Sequence, residues 1–139
     1  MKKLLLTYTK EEYLNIIILI MRLAVAALMM THGYPKLIKL LGSDEIQFAD
    51  PIGLGPALSL ALVVFAEFLC SIFIGIGLGT RMASIPLIIT MLVAAFITHG
   101  SDPIGKKELA LLYLLIYLTL LVVGSRKYSL DYLITKRIH

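Results

Sequence analysis

The sequence predicts an all-α integral membrane protein, a four-helix bundle with both termini on the cytoplasmic side. Three observations lead there. The 139 residues are 59% hydrophobic and only 16% charged, against roughly 25% charged in a soluble domain. So short a chain cannot hide that much apolar surface in one core, and the excess must face lipid. The apolar residues also fall into four continuous runs that approach or exceed ~17 residues, the shortest useful span. Lipid offers the backbone no hydrogen-bond partners, so spanning segments are helices or closed barrels. Unbroken runs lack the alternation of a barrel strand.

The first helix is expected over residues 13–32, interrupted only by Arg22 and ended by His32-Gly33-Tyr34-Pro35. The second is expected over 56–79, interrupted only by Glu67. Asp50-Pro51 and Gly55-Pro56 precede it, and Pro56 suits a first helical turn. Gly77-Leu78-Gly79-Thr80-Arg81 reads as a tight connection to a third helix over 82–98, with Pro86 one turn inside it. The turn cluster Gly100-Ser101-Asp102-Pro103 separates this from a fourth helix over 109–124. There is no internal repeat, and residues 1–139 read as a single membrane domain. Lys2 and Lys3 resemble the start of a signal peptide. The apolar stretch after them stops at Thr7, and Lys10, Glu11 and Glu12 intervene, so no cleavable signal is expected.

Lysine and arginine in the loops set the orientation. One side carries Lys2, Lys3, Lys10, Arg81, Arg126, Lys127, Lys136 and Arg137, eight in all; the other carries four, Lys36, Lys39, Lys106 and Lys107. The richer side is expected to be cytoplasmic. The loop over 33–55 is then outside, with residues 34–41 a short helix lying in the interface. The formal charge of +4 is spread over ends and loops. No basic helix or aromatic-basic platform accompanies it, so the expected partner is the lipid bilayer and not nucleic acid. The single cysteine, Cys70, sits in an apolar run. It allows neither an internal disulfide nor a redox pair and reads as a small buried apolar residue.

Arg22 and Glu67 carry the strongest chemical signal. An ionised side chain at mid-membrane costs roughly 2.5–3.5 kcal/mol on insertion scales. Arg22 lies ten residues before His32, and Glu67 lies eleven after Pro56. At 1.5 Å per residue both sit about 15–17 Å below the outer helix ends, so direct contact is expected. Glu67, Ser71, Gly75 and Gly79 form a small-residue seam that lets helices approach. Such a pair either fixes helix register or serves a ligand or a proton. The exposed seams also permit a homodimer.

A second constellation gathers at the outer mouth: His32, His99 and Glu108, with Lys36, Asp102, Lys106 and Lys107 nearby in sequence. Histidines and carboxylates there either move protons, bind metal, or only cap helices and touch water. Their spacing is no compact metal motif, and no metal site is assigned. A haem held between His32 and His99 is the weaker alternative. Tyr113 and Tyr117, one helical turn apart, can present hydroxyls to the same interior. Gly75-Ile76-Gly77-Leu78-Gly79 follows an apolar helix rather than a strand, which excludes a phosphate loop.

These residues also form a pattern over about residues 16 to 132. Its parts are Arg22, then Gly33-Tyr34-Pro35-Lys36-Leu37, Phe48-Ala49, Gly53-Leu54, Glu67 and Gly77-Leu78-Gly79-Thr80-Arg81. His99, Lys107-Glu108-Leu109-Ala110-Leu111-Leu112-Tyr113, Gly124 and Ser129-Leu130-Asp131 complete it. In order and spacing the chain resembles the DoxX family of small four-helix membrane proteins. The resemblance implies a bacterial or archaeal cytoplasmic membrane, and association with quinone-linked respiratory and sulfur-oxidation complexes or redox stress.

The leading expectation is therefore an accessory membrane subunit with a polar pocket for a quinone-like or lipid-like molecule. Arg22 and Glu67 would floor that pocket, with His32, Lys36, His99, Glu108 and Tyr113 at its mouth. The alternatives are a component of a quinone-dependent oxidoreductase with a respiratory-type partner subunit, a proton-coupled transporter of small solutes or lipids, and a purely structural membrane partner.

Overall fold

In a computed structural model of the chain, residues 10–42 and 44–138 are described. The basic pair Lys2 and Lys3 and the stretch ending at Thr7 lie outside the described residues. Every regular element among the described residues is helical. Helix α1 is Glu11–Leu41. Helix α2 is Pro56–Ile76, with Pro56 in its first turn as expected, and it widens to π pitch over Phe65–Cys70. Helix α3 is Thr80–Thr98, π-pitched over Val93–Thr98. Helix α4 is Ile104–Val123 and a short helix α5 is Leu130–Ile138.

α1, α2 and α3 are long and apolar enough to cross a membrane. α4 has 20 residues but opens on Lys106, Lys107 and Glu108, which leaves 109–123 as its apolar part. Consecutive helices pack on one another, α1 on α2 most extensively, while α1 barely touches α4. The core is apolar. Val25 and Met29 of α1 meet Cys70 and Ile74 of α2, Leu87 and Met91 of α3, and Tyr117 and Leu120 of α4. Ile17, Leu23 and Leu28 of α1, Leu58 and Phe65 of α2, and Ile89 and Phe96 of α3 face outward. Apolar side chains on both the inside and the outside of a bundle suit a bilayer, where the outer ones meet lipid.

The structure departs from the sequence expectation most at α1. Its helix does not end at His32; it runs nine residues further, through Pro35, to Leu41. No separate interfacial helix forms over 34–41. Proline costs a backbone hydrogen bond but is tolerated in spanning helices, where neighbours compensate. Gly33 is not a terminator. A Cβ there would lie 2.7 Å from the Glu67 carbonyl carbon and 2.8 Å from the Phe68 nitrogen. The glycine lets α2 lie against α1 backbone to backbone.

α2 ends where the sequence places a turn. Gly77 adopts φ 72°, its N–H donates to Ile74 O, and the Leu78 N–H reaches back to Phe73 O. That left-handed cap satisfies carbonyls that a helix end leaves unpaired. α5, unforeseen in the sequence, starts from Ser129, whose Oγ accepts from the Tyr132 N–H at 3.1 Å.

Candidate functional site

The two membrane charges do not meet. Arg22 is 1% exposed and spends its guanidinium on backbone. Nε donates to Ile74 O (3.0 Å), Nη2 to Gly75 O (3.1 Å), and Nη1 to Ser125 O (2.6 Å) and Tyr128 O (2.9 Å). Two of these are last-turn carbonyls of α2, which have no partner within the helix and where a cation is favourable. Arg22 therefore sits level with the end of α2, not at mid-membrane. The depth match with Glu67 fails because it was counted from His32, and α1 continues past His32. Glu67 is level with Gly33, eleven residues up α1, about 16 Å from Arg22 along the axis.

The surroundings of Arg22 explain the glycine-rich connection and the Ser129-Leu130-Asp131 segment. A Cβ on Gly77 would collide with Ser129 Cβ at 2.5 Å and the Arg22 guanidinium at 2.7 Å. The Asp131 carboxylate accepts from the Gly79 N–H (2.7 Å), the Thr80 N–H (3.3 Å) and the Ser125 hydroxyl (2.9 Å). Its own N–H donates to Gly77 O. Arg81 donates to Val122 O at 3.0 Å. All of this is bonding within the fold.

The partner of Glu67 is Lys36. Its Nζ lies 2.5 Å from Glu67 Oε2, with side-chain exposures of 29% for Lys36 and 6% for Glu67. Glu67 stands in the π-pitched part of α2, and such segments recur at functional sites. Lys36 also lines a cavity of about 330 Å³ between α2, α3 and the loop that joins α1 to α2. The walls include Phe48 and Ile52 of the loop, Leu62 and Val63 of α2, and Ile89 and Val93 of α3. Ser59, Thr90, Thr98 and His99 add polar atoms. Leu62 and Ile89 are also half exposed on the outer surface, so the cavity reaches the lipid-facing side. The loop wall is pinned by Asp50, which accepts at 2.8 Å from each of Leu54 N–H, Gly55 N–H and the Ser59 hydroxyl. These bonds, the one from Gly55 first, hold its carboxyl below the usual carboxylate range.

A second cavity of about 200 Å³ lies between α1, α3 and α4 and shares His99 with the first. It brings together His32, Lys106 and Tyr113 over Met29 and Met91. The His32 ring meets Tyr113 edge-on at 6.2 Å, and Tyr113 stacks on Tyr117 at 6.1 Å. His99 Nδ1 is 2.8 Å from Asp102 Oδ2. A carboxylate only accepts, so Nδ1 carries the proton and Nε2 is left free to face a ligand. Deeper in the bundle the buried Tyr117 and Ser71 hydroxyls have no hydrogen-bond partner among the described residues.

Six of the seven predicted site residues thus share one end of the bundle: His32, Lys36, Glu67, His99, Glu108 and Tyr113. Glu108 is exposed on the first turn of α4 and lines neither cavity; Arg22 is at the opposite end. Ser59, Thr90 and Asp50 were missed. Lys36 as the partner of Glu67 was legible in one way: carrying the α1 stripe Ala26-Met29-Gly33 one turn further reaches it. Among the described residues no three of His, Cys, Asp and Glu converge as a metal site.

The model of the DoxX family matches residues 17–100. The chain belongs to the DoxX family. The matched stretch holds Arg22, Gly33, Lys36, Glu67 and His99, so both the Arg22 anchor and the Lys36–Glu67 pair lie within what is DoxX. It ends before α4, which supplies Tyr113, and before Asp131. No curated protein and no solved structure matches the chain.

Proposed function

We propose that this DoxX protein is a membrane accessory subunit that holds the headgroup of a quinone-like amphiphile beside Lys36. In this reading α4 is a fourth crossing and both termini are cytoplasmic, in a bacterial or archaeal cytoplasmic membrane. The observation that carries the reading is the cavity itself. It is walled by apolar side chains, reaches the lipid-facing surface, and has one lysine and one histidine side chain in its lining. Small-molecule sites run from about 300 to 1,000 Å³. At about 330 Å³ this one takes a ring-sized headgroup, and a longer tail runs out past Leu62 and Ile89 into lipid.

Charge favours a neutral headgroup. Lys36 is balanced by Glu67, and His99 is bonded to Asp102. Lys36 donates to a quinone carbonyl oxygen. The free Nε2 of His99 accepts from a quinol hydroxyl when the ring is neutral and donates to a quinone carbonyl when it is protonated. The apolar walls exclude water, which strengthens each of these bonds.

The test is direct. The protein is purified with its native lipids, the extract is analysed for quinones, and thermal unfolding is followed with an added short-chain benzoquinone. Co-purified quinone and a stabilisation that Lys36→Met removes are expected. An extract free of quinone together with an unchanged unfolding temperature overturns the reading.

A further inference from the structure

We infer that α5 is a docking surface for an anionic lipid leaflet. The helix is oriented the wrong way round for packing on protein. Asp131, Tyr132 and Thr135 face the bundle, where they line clefts with Ser125 and Arg126. At 100° per residue the opposite side carries Leu130, Leu133, Ile134 and Ile138. These are exposed, Leu133 at 56% and Ile138 at 75%, and no residue of α5 is buried. An amphipathic helix normally puts its apolar stripe on the core. This one is fastened to the core by its polar side, through Asp131 to Gly77, Gly79, Thr80 and Ser125. Its apolar side is left for the bilayer surface, where helices lie with that side about 5–10 Å into the headgroup boundary.

Charge selects the kind of lipid. At this end the described residues include six basic side chains: Lys10, Arg81, Arg126, Lys127, Lys136 and Arg137. They face three acidic ones, Glu11, Glu12 and Asp131, an excess of three positive charges. The acids are already engaged. Glu12 accepts from Lys127 at 3.2 Å and from Tyr128, Glu11 lies 3.8 Å from Arg126, and Asp131 holds backbone amides. Lys136 and Arg137, in the last turn of α5, pair with no carboxylate among the described residues. At 100° per residue Lys136 stands at the edge of the exposed apolar side and Arg137 within it, where phosphate groups of an anionic leaflet would meet them.

The test uses the full chain with Cys70→Ala and a single Ile134→Cys, labelled with an environment-sensitive fluorophore. It is placed in nanodiscs of phosphatidylcholine alone or of phosphatidylcholine with phosphatidylglycerol. A blue-shifted emission quenched by spin-labelled lipid is expected in the anionic discs, and much less in the neutral ones. A label at Thr135→Cys, exposed but on the opposite, cleft side of the helix, is quenched much less. Each basic residue near an anionic surface contributes roughly fivefold to partition. Lys136→Gln with Arg137→Gln should therefore lower the embedded-to-free ratio about 25-fold. Equal embedding in both lipids, or a water-exposed label at 134 in both, overturns the inference. So does the same blue shift in detergent growing with protein concentration, which would put a second copy on this face.

Discussion

Lys36 and Glu67 can be separated from Arg22 by two double-mutant cycles. The pair is 2.5 Å apart, but its members are not equally buried: Glu67 is 6% exposed and Lys36 is 29% exposed. Lys36→Met strands a carboxylate in the bundle, and breaking a buried pair this way costs about 3–5 kcal/mol. Glu67→Gln leaves an ammonium on a flexible stem that can swing to the interface, and should cost nearer the roughly 1 kcal/mol of an exposed pair. The double change Lys36→Met with Glu67→Gln should cost only about 2 kcal/mol, the penalty of a buried amide left without a partner, because no charge is stranded. The coupling energy, the double cost less the sum of the single costs, is then about 2–4 kcal/mol in magnitude, at the upper end of the roughly 0.5–3 kcal/mol found for contacting residues. The control cycle pairs Arg22→Lys with Glu67→Gln. Those sites are about 16 Å apart along the helix axis, so their costs should add within about 0.5 kcal/mol. Reversible unfolding in mixed micelles reads both cycles. Additive costs for Lys36 and Glu67, or strong coupling of Arg22 to Glu67, would refute the assignment of the pair.

Arg22→Lys keeps the charge but cannot reach four carbonyls in two directions. With hydrogen bonds to charged groups at about 1.5–3 kcal/mol each, a loss of about 2–3 kcal/mol is expected in the same micelle assay, and an unchanged midpoint would contradict the carbonyl cage. Gly33→Ala puts a methyl 2.7 Å from α2 backbone; overpacking of this kind costs about 1–3 kcal/mol and should raise the pH-independent unfolding rate, whereas wild-type stability would mean that α1 and α2 do not touch there. Asp50 titrates below its usual range because of Gly55, Ser59 and Leu54. A depressed folded value means that its contribution is complete above about pH 4 and lost as pH falls through the lowered value. The protection of the Leu54 and Gly55 amides relative to their intrinsic exchange should therefore fall on acidification in the wild type and be low at all pH in Asp50→Ala; protection that ignores both changes would sink the capping role.

Class and helix positions were legible in the sequence because lipid forces composition and run length together. Helix ends were less so. His32-Gly33-Tyr34-Pro35 carries the chemistry of a turn, yet Gly33 serves close packing on Glu67 and Pro35 is absorbed in a helix supported by its neighbours. Lys106, Lys107 and Glu108 looked like loop and are the first turns of α4. The wrong end for α1 produced the wrong depth for Arg22, and with it the false pairing. The π-pitched turns leave no mark in an apolar run. α5 is too short and too mixed in composition to register as a period. The grouping of His32, Lys36, His99 and Tyr113 at one end does not depend on these errors, because alternation of the helices alone sets which ends share a side, wherever α1 stops.

The central charges of the two ends are held by different bonds, although Glu11 and Glu12 also form ion pairs at the Arg22 end and Asp50 also caps backbone at the Lys36 end. At the Arg22 end, side chains bind backbone: one guanidinium takes four carbonyls from α2 and from the 124–129 segment, and one carboxylate takes two amides at the start of α3. Backbone groups cannot swing away, so those segments are fixed relative to one another. At the Lys36 end, side chain meets side chain: an ion pair, an edge-on ring contact and a histidine–aspartate bond. Long side chains exchange partners by rotation, without moving a helix. The cavities lie at that second end, with π-pitched backbone beside them. If the Lys36 end takes the amphiphile proposed above, the bundle needs one adaptable end and one end that keeps the helices in register, and the Arg22 cage supplies the second so that the Lys36 latch can be the first.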